Sequence, residues 1–396
     1  MRRIRVFNVL HPAIFFLIAY AFFLLAYPFF LEHYFPFFET PIKVRLLLAV
    51  YLFVFIISAH ALPEVLMLKT FPKLMDVVPN IRMDLKFWKR TFYLFYVTGI
   101  ALYVYIYFFL MEAIPIFLND LENARVGAKQ GLGKYILIAN ALISVSLTYR
   151  FAIERFERPR IKFRSVIYLL IGVIFVMGIG YRGPAAYLIV SCALSYVVFS
   201  KEFIKRQGIS KRYIILGMLF IFFLSLMGYY RHTGEFSLRA IGSTAWTTAV
   251  NVGNLKTIVQ NTDSTDGYYY GGMILSDLGA TIGLHERGFT GEILKSKYNL
   301  NFEGEGMTIT SPGEAYLNFG WVGIIIHAML LGAFAGFFYE IVLRSGKLSW
   351  FVLLVLFSLN LSRLAVGGVI ATGLFFLVPQ LILCGVFMLC GKLTVK

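Results

Sequence analysis

The sequence predicts an all-α polytopic membrane protein with about ten transmembrane helices and one large extracytoplasmic helical loop. Three observations carry that prediction. Hydrophobic residues make up 59% of the 396 positions and the mean hydropathy is +0.75, too apolar for a soluble domain. Apolar runs of about 18 residues or more recur along the whole length. Lys and Arg are dense in alternate connections between those runs, the pattern of a chain inserted in one fixed orientation.

Taken in order, the spans fall at 12–31, 44–62, 92–111, 134–152, 165–180, 183–199, 213–230, 314–338, 349–365 and 368–390. The chain starts Met1-Arg2-Arg3-Ile4-Arg5 and turns apolar near Ala13, with no small-x-small cleavage site, so a retained start-transfer helix is expected. Only Tyr181, Arg182, Gly183 and Pro184 separate the fifth and sixth spans, which predicts a tight helical hairpin. With the N-terminus inside, the inner segments hold 24 of the 37 basic residues. Both termini are therefore expected on the cytoplasmic side, and the formal charge of +16 reads as a topology signal and an anchor to anionic lipid. That distribution argues against nucleic acid as a partner. Cys192, Cys384 and Cys390 lie in apolar runs and form no disulfide framework, and no Cys/His spacing fits a metal.

The expected organisation is a membrane domain over 1–230 with spans one to seven, an extracytoplasmic loop over 231–313, and a membrane domain over 314–396 with spans eight to ten. Within 112–133 a short amphipathic piece around Asn119–Val126 precedes a glycine-rich return. In the large loop, Ile241, Ala245, Ala249, Val252, Leu255 and Val259 repeat every three or four residues, which fits an amphipathic helix on the membrane surface. No internal repeat and no low-complexity tract is visible.

The stretch Thr308–Gly323 closes the only long polar interval and enters the eighth span. Pro312-Gly313 breaks the backbone and a helix then begins. Glu314 falls in its first turn, where the helix dipole favours negative charge. Asn318 follows four residues on, on the same face, with Tyr316 beside them. This is either a site at the mouth of a span or an ordinary capped helix start. Arginines gather on the same side: Arg125, Arg182, Arg231 and Arg363 among them. Arg182 at a hairpin tip and Arg363 near a span end run against the positive-inside bias. Each needs a partner, either phosphate oxygens or a loop carboxylate. His232 and His285 also lie outside and are candidate bases or plain surface residues, whereas His327, inside a span, reads as packed or hydrogen-bonded. Neither a Walker A loop nor a His-Glu-x-x-His motif is present, so nucleotide chemistry is unsupported. A donor used outside the cell must arrive activated, most simply on a lipid pyrophosphate.

Three stretches resemble the O-antigen polymerase (Wzy-like) family of oligosaccharide repeat-unit polymerases. Gly180-Tyr-Arg-Gly183 is similar to a Gly-x-Arg turn between two spans. Ile114-Pro-Ile-Phe with Glu122-Asn-Ala-Arg125 is similar to an outer Pro-containing segment ending in arginine. Gly313-Glu-Ala-Tyr-Leu-Asn-Phe-Gly-Trp-Val-Gly323 is similar to the Gly-Glu-x-Tyr-x-Asn-Phe-Gly-x-x-Gly signature, the most specific of the three. The resemblance implies a GT-C-like glycosyltransferase in the cytoplasmic membrane with its site facing outside. Its substrates, as donor and acceptor, are polyprenyl-pyrophosphate-linked oligosaccharides, and a chain-length regulator and a flippase are its expected partners. Glu314 and Arg182 are then the expected catalytic residues. Arg125, Arg363, Arg231, Tyr316, Asn318, His232 and His285 are the expected contacts to pyrophosphate or glycan, and neither metal nor cofactor is implied. Competing readings are a ligase of the same superfamily, a lipid-linked-glycan flippase or transporter, and an inert scaffold.

Overall fold

The computed structural model describes residues 11–70, 85–115, 121–157, 160–179, 182–198, 240–263, 267–281, 290–300, 307–345, 348–368 and 373–393. Among them every regular element is helical. Helix α1 (Pro12–Tyr20) continues through two wider, π-type turns to Leu31. It is followed by α2 (Ile42–Thr70), α3 (Leu85–Tyr105, extended by a π-type turn to Leu110) and α4 (Leu121–Glu157). Then come α5 (Phe163–Met177) and α6 (Arg182–Val198). The 231–313 interval contributes α7 (Ala240–Asn261), α8 (Gly272–Thr281) and α9 (Thr290–Lys297). Helices α10 (Ser311–Ser345), α11 (Leu348–Gly367) and α12 (Val378–Leu393) complete it. Nine of the ten expected spans fall on these helices, and the tenth, 213–230, lies outside the described residues.

Three buried clusters hold the bundle together. One joins α1, α2, α7, α10 and α11 around Phe16, Tyr51, Phe55, Leu255 and Phe357. A second joins α3, α4, α5 and α6 around Tyr103, Ile143 and Leu188. The third seats α11 and α12 against α4 and α6 through Tyr149, Phe351 and Cys384. Helices α10 and α11 both take part in the first and the third, α10 through Tyr339 and Val342 in the latter, and α11 is the more deeply buried. Its residues from Phe351 to Leu361 are buried on every face, which is why its sequence is apolar all round.

Two sequence expectations change. The 112–133 connection does not contain a separate amphipathic piece and a glycine-rich return. From Leu121 the backbone is one helix with the span, passing through Gly127, Gly131 and Gly133. Each glycine costs about 1 kcal/mol in a helix. The Ala, Lys, Gln and Leu between them are good helix formers, and the long helix is anchored below by α3 and α6. The apolar stripe of α7 also differs. Ala245, Ala249, Val252, Leu255 and Val259 are all buried, and the last four pack in the α1–α2–α10 cluster rather than on lipid alone. The period was right, but a stripe cannot say which apolar partner covers it.

Candidate active site

The Thr308–Gly323 stretch forms a capped start. Thr310 is the N-cap: its hydroxyl oxygen accepts from the Gly313 amide at 3.1 Å, and its carbonyl from the Glu314 amide at 2.8 Å. Glu314 thus sits in the first turn of α10, only 5% exposed. The helix then bends sharply at Gly320, whose φ of 59° and ψ of −140° are non-helical. Only glycine takes such a conformation readily. A Cβ there would also stand 2.6 Å from the Tyr268 ring. Beyond the bend the chain folds back, so that a Cβ on Gly323 would strike the Ala315 carbonyl. The carbonyls left open at the bend are met by the loop: the Tyr269 amide donates to Leu317 at 3.2 Å and the Tyr270 amide to Asn318 at 2.8 Å. The expected span 314–338 is therefore a short helix, 311–319, folded onto a longer one.

This fold-back brings in His327, which the sequence predicts to be packed or hydrogen-bonded. Glu314 and His327 are thirteen positions apart, about 20 Å along a straight helix. Here Glu314 Oε2 and His327 Nε2 are 3.8 Å apart. His327 Nδ1 is 2.8 Å from the Tyr51 hydroxyl on α2, and that hydroxyl also meets the Ser311 side chain. Ser311 in turn donates to the Leu364 carbonyl of α11. Gly368, just past α11, completes the wall, since a Cβ on it would stand 3.5 Å from Glu314 Oε2.

Arg363 lies one turn before the end of α11, next to Leu364. Its guanidinium stacks on Tyr187 at 4.0 Å and Phe376 at 4.6 Å, and Nη2 donates to the Gly183 carbonyl at 3.3 Å. Among the described residues no carboxylate pairs with it. It borders a small open pocket whose polar lining includes Asn140, Ser144, Tyr187 and Gln380. These groups are pre-ordered: Asn360 Nδ2 donates to the Tyr187 oxygen at 2.9 Å and to Gln380 Oε1 at 2.6 Å, and Gln380 Nε2 donates to Ser144 at 3.1 Å. Arg182 begins α6, beside the Gly183 carbonyl that Arg363 binds.

Of the other expected residues, Asn318 is fully buried and donates from Nδ2 to the Glu314 carbonyl at 2.9 Å. Its Oδ1 has no partner among the described residues. Tyr316 turns away from Glu314; its hydroxyl donates to Asp263 at 2.6 Å, and Asp263 pairs with Lys43, whose ammonium lies 5.3 Å from the Tyr316 ring centre. Arg125 lies in the first turns of α4, but its side chain, like that of Arg182, is outside the described residues. Arg231, His232 and His285 are outside them altogether. Among the described residues no cluster of His, Cys, Asp and Glu has the geometry of a metal site.

Comparison with protein families gives one match, to the family described as "Putative O-antigen polymerase", over residues 8–383. No curated protein and no solved structure matches the chain. The match spans nearly the whole chain and agrees with its multi-pass helical architecture. The chain belongs to the O-antigen polymerase family: polysaccharide repeat-unit polymerases, glycosyltransferase-type enzymes that use lipid-linked oligosaccharides in a membrane.

Proposed function

We propose that this polymerase transfers a growing glycan from one polyprenyl pyrophosphate onto the lipid-linked repeat unit of another, at the outer face of the cytoplasmic membrane. Both termini are then cytoplasmic and the fold is of GT-C type. The acceptor hydroxyl attacks the anomeric carbon, forming the new C–O bond. Its O–H bond breaks as Glu314 takes the proton. The anomeric C–O bond to the carrier breaks with its electrons passing to the departing pyrophosphate, and the configuration inverts. Arg363 and Arg182, with Arg125, stabilise the charge that grows on the leaving group. Arg231, His232 and His285, on the loop, are proposed to contact glycan or pyrophosphate, and Asn318 to hold the Glu314 turn.

The observation that carries this reading is the placing of two unlike charges on joined elements. The buried acid near the start of α10 lies close to Gly368, just past α11, Ser311 beside it bonds the Leu364 carbonyl, and the neighbouring Arg363 has no carboxylate partner among the described residues. The test uses purified protein and lipid-linked repeat unit extracted from cells lacking this chain. The proposal expects a ladder of products built from that single substrate. One transfer to an unrelated acceptor would indicate a ligase. Passage of the lipid-linked unit across a vesicle bilayer with no new glycosidic bond would indicate a flippase.

A further inference from the structure

We infer that His327 and Tyr51 are positioning residues for Glu314, a second layer that fixes how the acid presents its oxygens. The inference rests on the reading of Glu314 as the group that receives the acceptor's proton.

The argument starts from the imidazole. A neutral histidine has one nitrogen that donates and one that accepts. With the Tyr51 hydroxyl, 2.8 Å from Nδ1, taken as the donor, Nδ1 is the acceptor. Nε2 then carries the proton, and that N–H faces Glu314 Oε2 at 3.8 Å. Tyr51 is itself fully buried and fixed. It stacks on Tyr20 at 5.7 Å with ring planes 7° apart, and its hydroxyl is bounded by Ser311. The Tyr20 hydroxyl donates to the Leu48 carbonyl at 3.0 Å, so it does not compete for the histidine. One face of the carboxylate is thereby set by α2 and the long part of α10. The other lies against Gly368 at the end of α11.

The Gly320 bend gives this layer its reason. Without it, His327 lies about 20 Å along the helix from Glu314. With it, a positive-φ glycine returns the imidazole to the acid. A histidine serving only to fill the core needs no such alignment, and a backbone carbonyl would satisfy it. An imidazole tautomer set by one partner, and aimed by it at an acid, is how enzymes fix the orientation of a reacting group.

The test measures kcat and KM for the extracted lipid-linked repeat unit with four variants: His327→Leu, His327→Gln, Tyr51→Phe and Glu314→Gln. Protein melting in detergent is followed in parallel. Gln offers an amide N–H near the place of Nε2, whereas Leu offers none. His327→Leu is expected to lower kcat about 10–100-fold with KM little changed. His327→Gln should recover kcat to within several-fold. Tyr51→Phe keeps the ring and frees the tautomer, so an intermediate loss in kcat is expected. If His327→Leu and Tyr51→Phe both turn over at the wild-type rate while Glu314→Gln is inactive, the positioning role is wrong and the acid stands. Equal losses for Leu and Gln, matched by lower melting, also overturn it in favour of packing. A Glu314→Gln enzyme at full rate removes the acid reading itself.

Discussion

Two arginines in this bundle sit near opposite ends of the membrane-spanning helices, and they are treated differently. Arg150 on α4 is buried and fully matched. Its Nη2 donates to Glu154 at 3.1 Å, its Nε to Ser165 at 3.0 Å, and its guanidinium lies over Phe92 and Tyr168. Glu154 closes the set by accepting from the Lys162 amide at 3.2 Å. Arg363 on α11 has the aromatic walls but, among the described residues, no acid. A charge neutralised by its neighbours holds helices together. A charge held rigid, with no acid beside it among the described residues, keeps its field for something that arrives, and the pyrophosphate of the proposed donor is such an anion.

Substitutions at the two ends test that contrast. Glu314→Gln should lower turnover about 10²–10⁴-fold, the range for a lost general base, with unchanged melting. Arg363→Ala should lower kcat about 10²–10³-fold, measured as ladder formation per molecule of folded protein. Arg363→Lys should recover little, because an ammonium cannot replace a planar group stacked between two rings. Arg150→Ala should act in the other currency. Leaving Glu154 buried and unpaired costs about 3–5 kcal/mol, read as lower melting and lower membrane abundance, while the rate per folded molecule stays near wild type. If Arg150→Ala lost turnover and Arg363→Ala lost only stability, the two ends would have been assigned in reverse.

Gly320→Ala tests the bend. Strain at a positive φ costs about 1–3 kcal/mol, and the Tyr268 ring must also move. The expected result is reduced melting together with a kcat loss, because Glu314 and His327 separate. The smallest effect belongs to the α8–α9 contact. Asp277 accepts from the Thr290 amide at 2.7 Å and from its hydroxyl at 2.8 Å. Burial raises its carboxyl above the usual range, and the Thr290 bonds oppose that without cancelling it. A raised folded-state value means that net stability is highest below about pH 4 and falls as pH rises through the raised value, because burial of the ionised carboxylate outweighs the Thr290 bonds. Asp277→Asn keeps the acceptor and removes the proton, so its melting should depend less on acid pH than that of the wild type.

Much of this was legible before any coordinates. Hydropathy located nine of the spans because each carries its own apolar run, and Pro312-Gly313 placed Glu314 in a first turn because helix starts have local chemistry. The bend at Gly320 was not legible. A glycine inside an apolar window reads as tolerated, and hydropathy is blind to a helix that doubles back. The hydrogen bond of His327 matches its expected place inside a span, but its nearness to Glu314 was not legible, since thirteen positions of straight helix separate the two. The Arg363 pocket was half visible. The arginine stood out against the charge bias, but Tyr187, Asn360 and Gln380 come from three helices and meet only through tertiary packing. Conversely, Tyr316 shared a stretch with Glu314 and was drawn away by Asp263, which no local pattern foretold.

The most direct test of the central claim pairs Glu314→Gln with Arg363→Ala in one reconstituted reaction, with lipid-linked repeat unit as the only glycan. The account predicts that each variant melts like the wild type, leaves the unit unreacted and makes no ladder on the wild-type timescale. A wild-type ladder from either variant would contradict it.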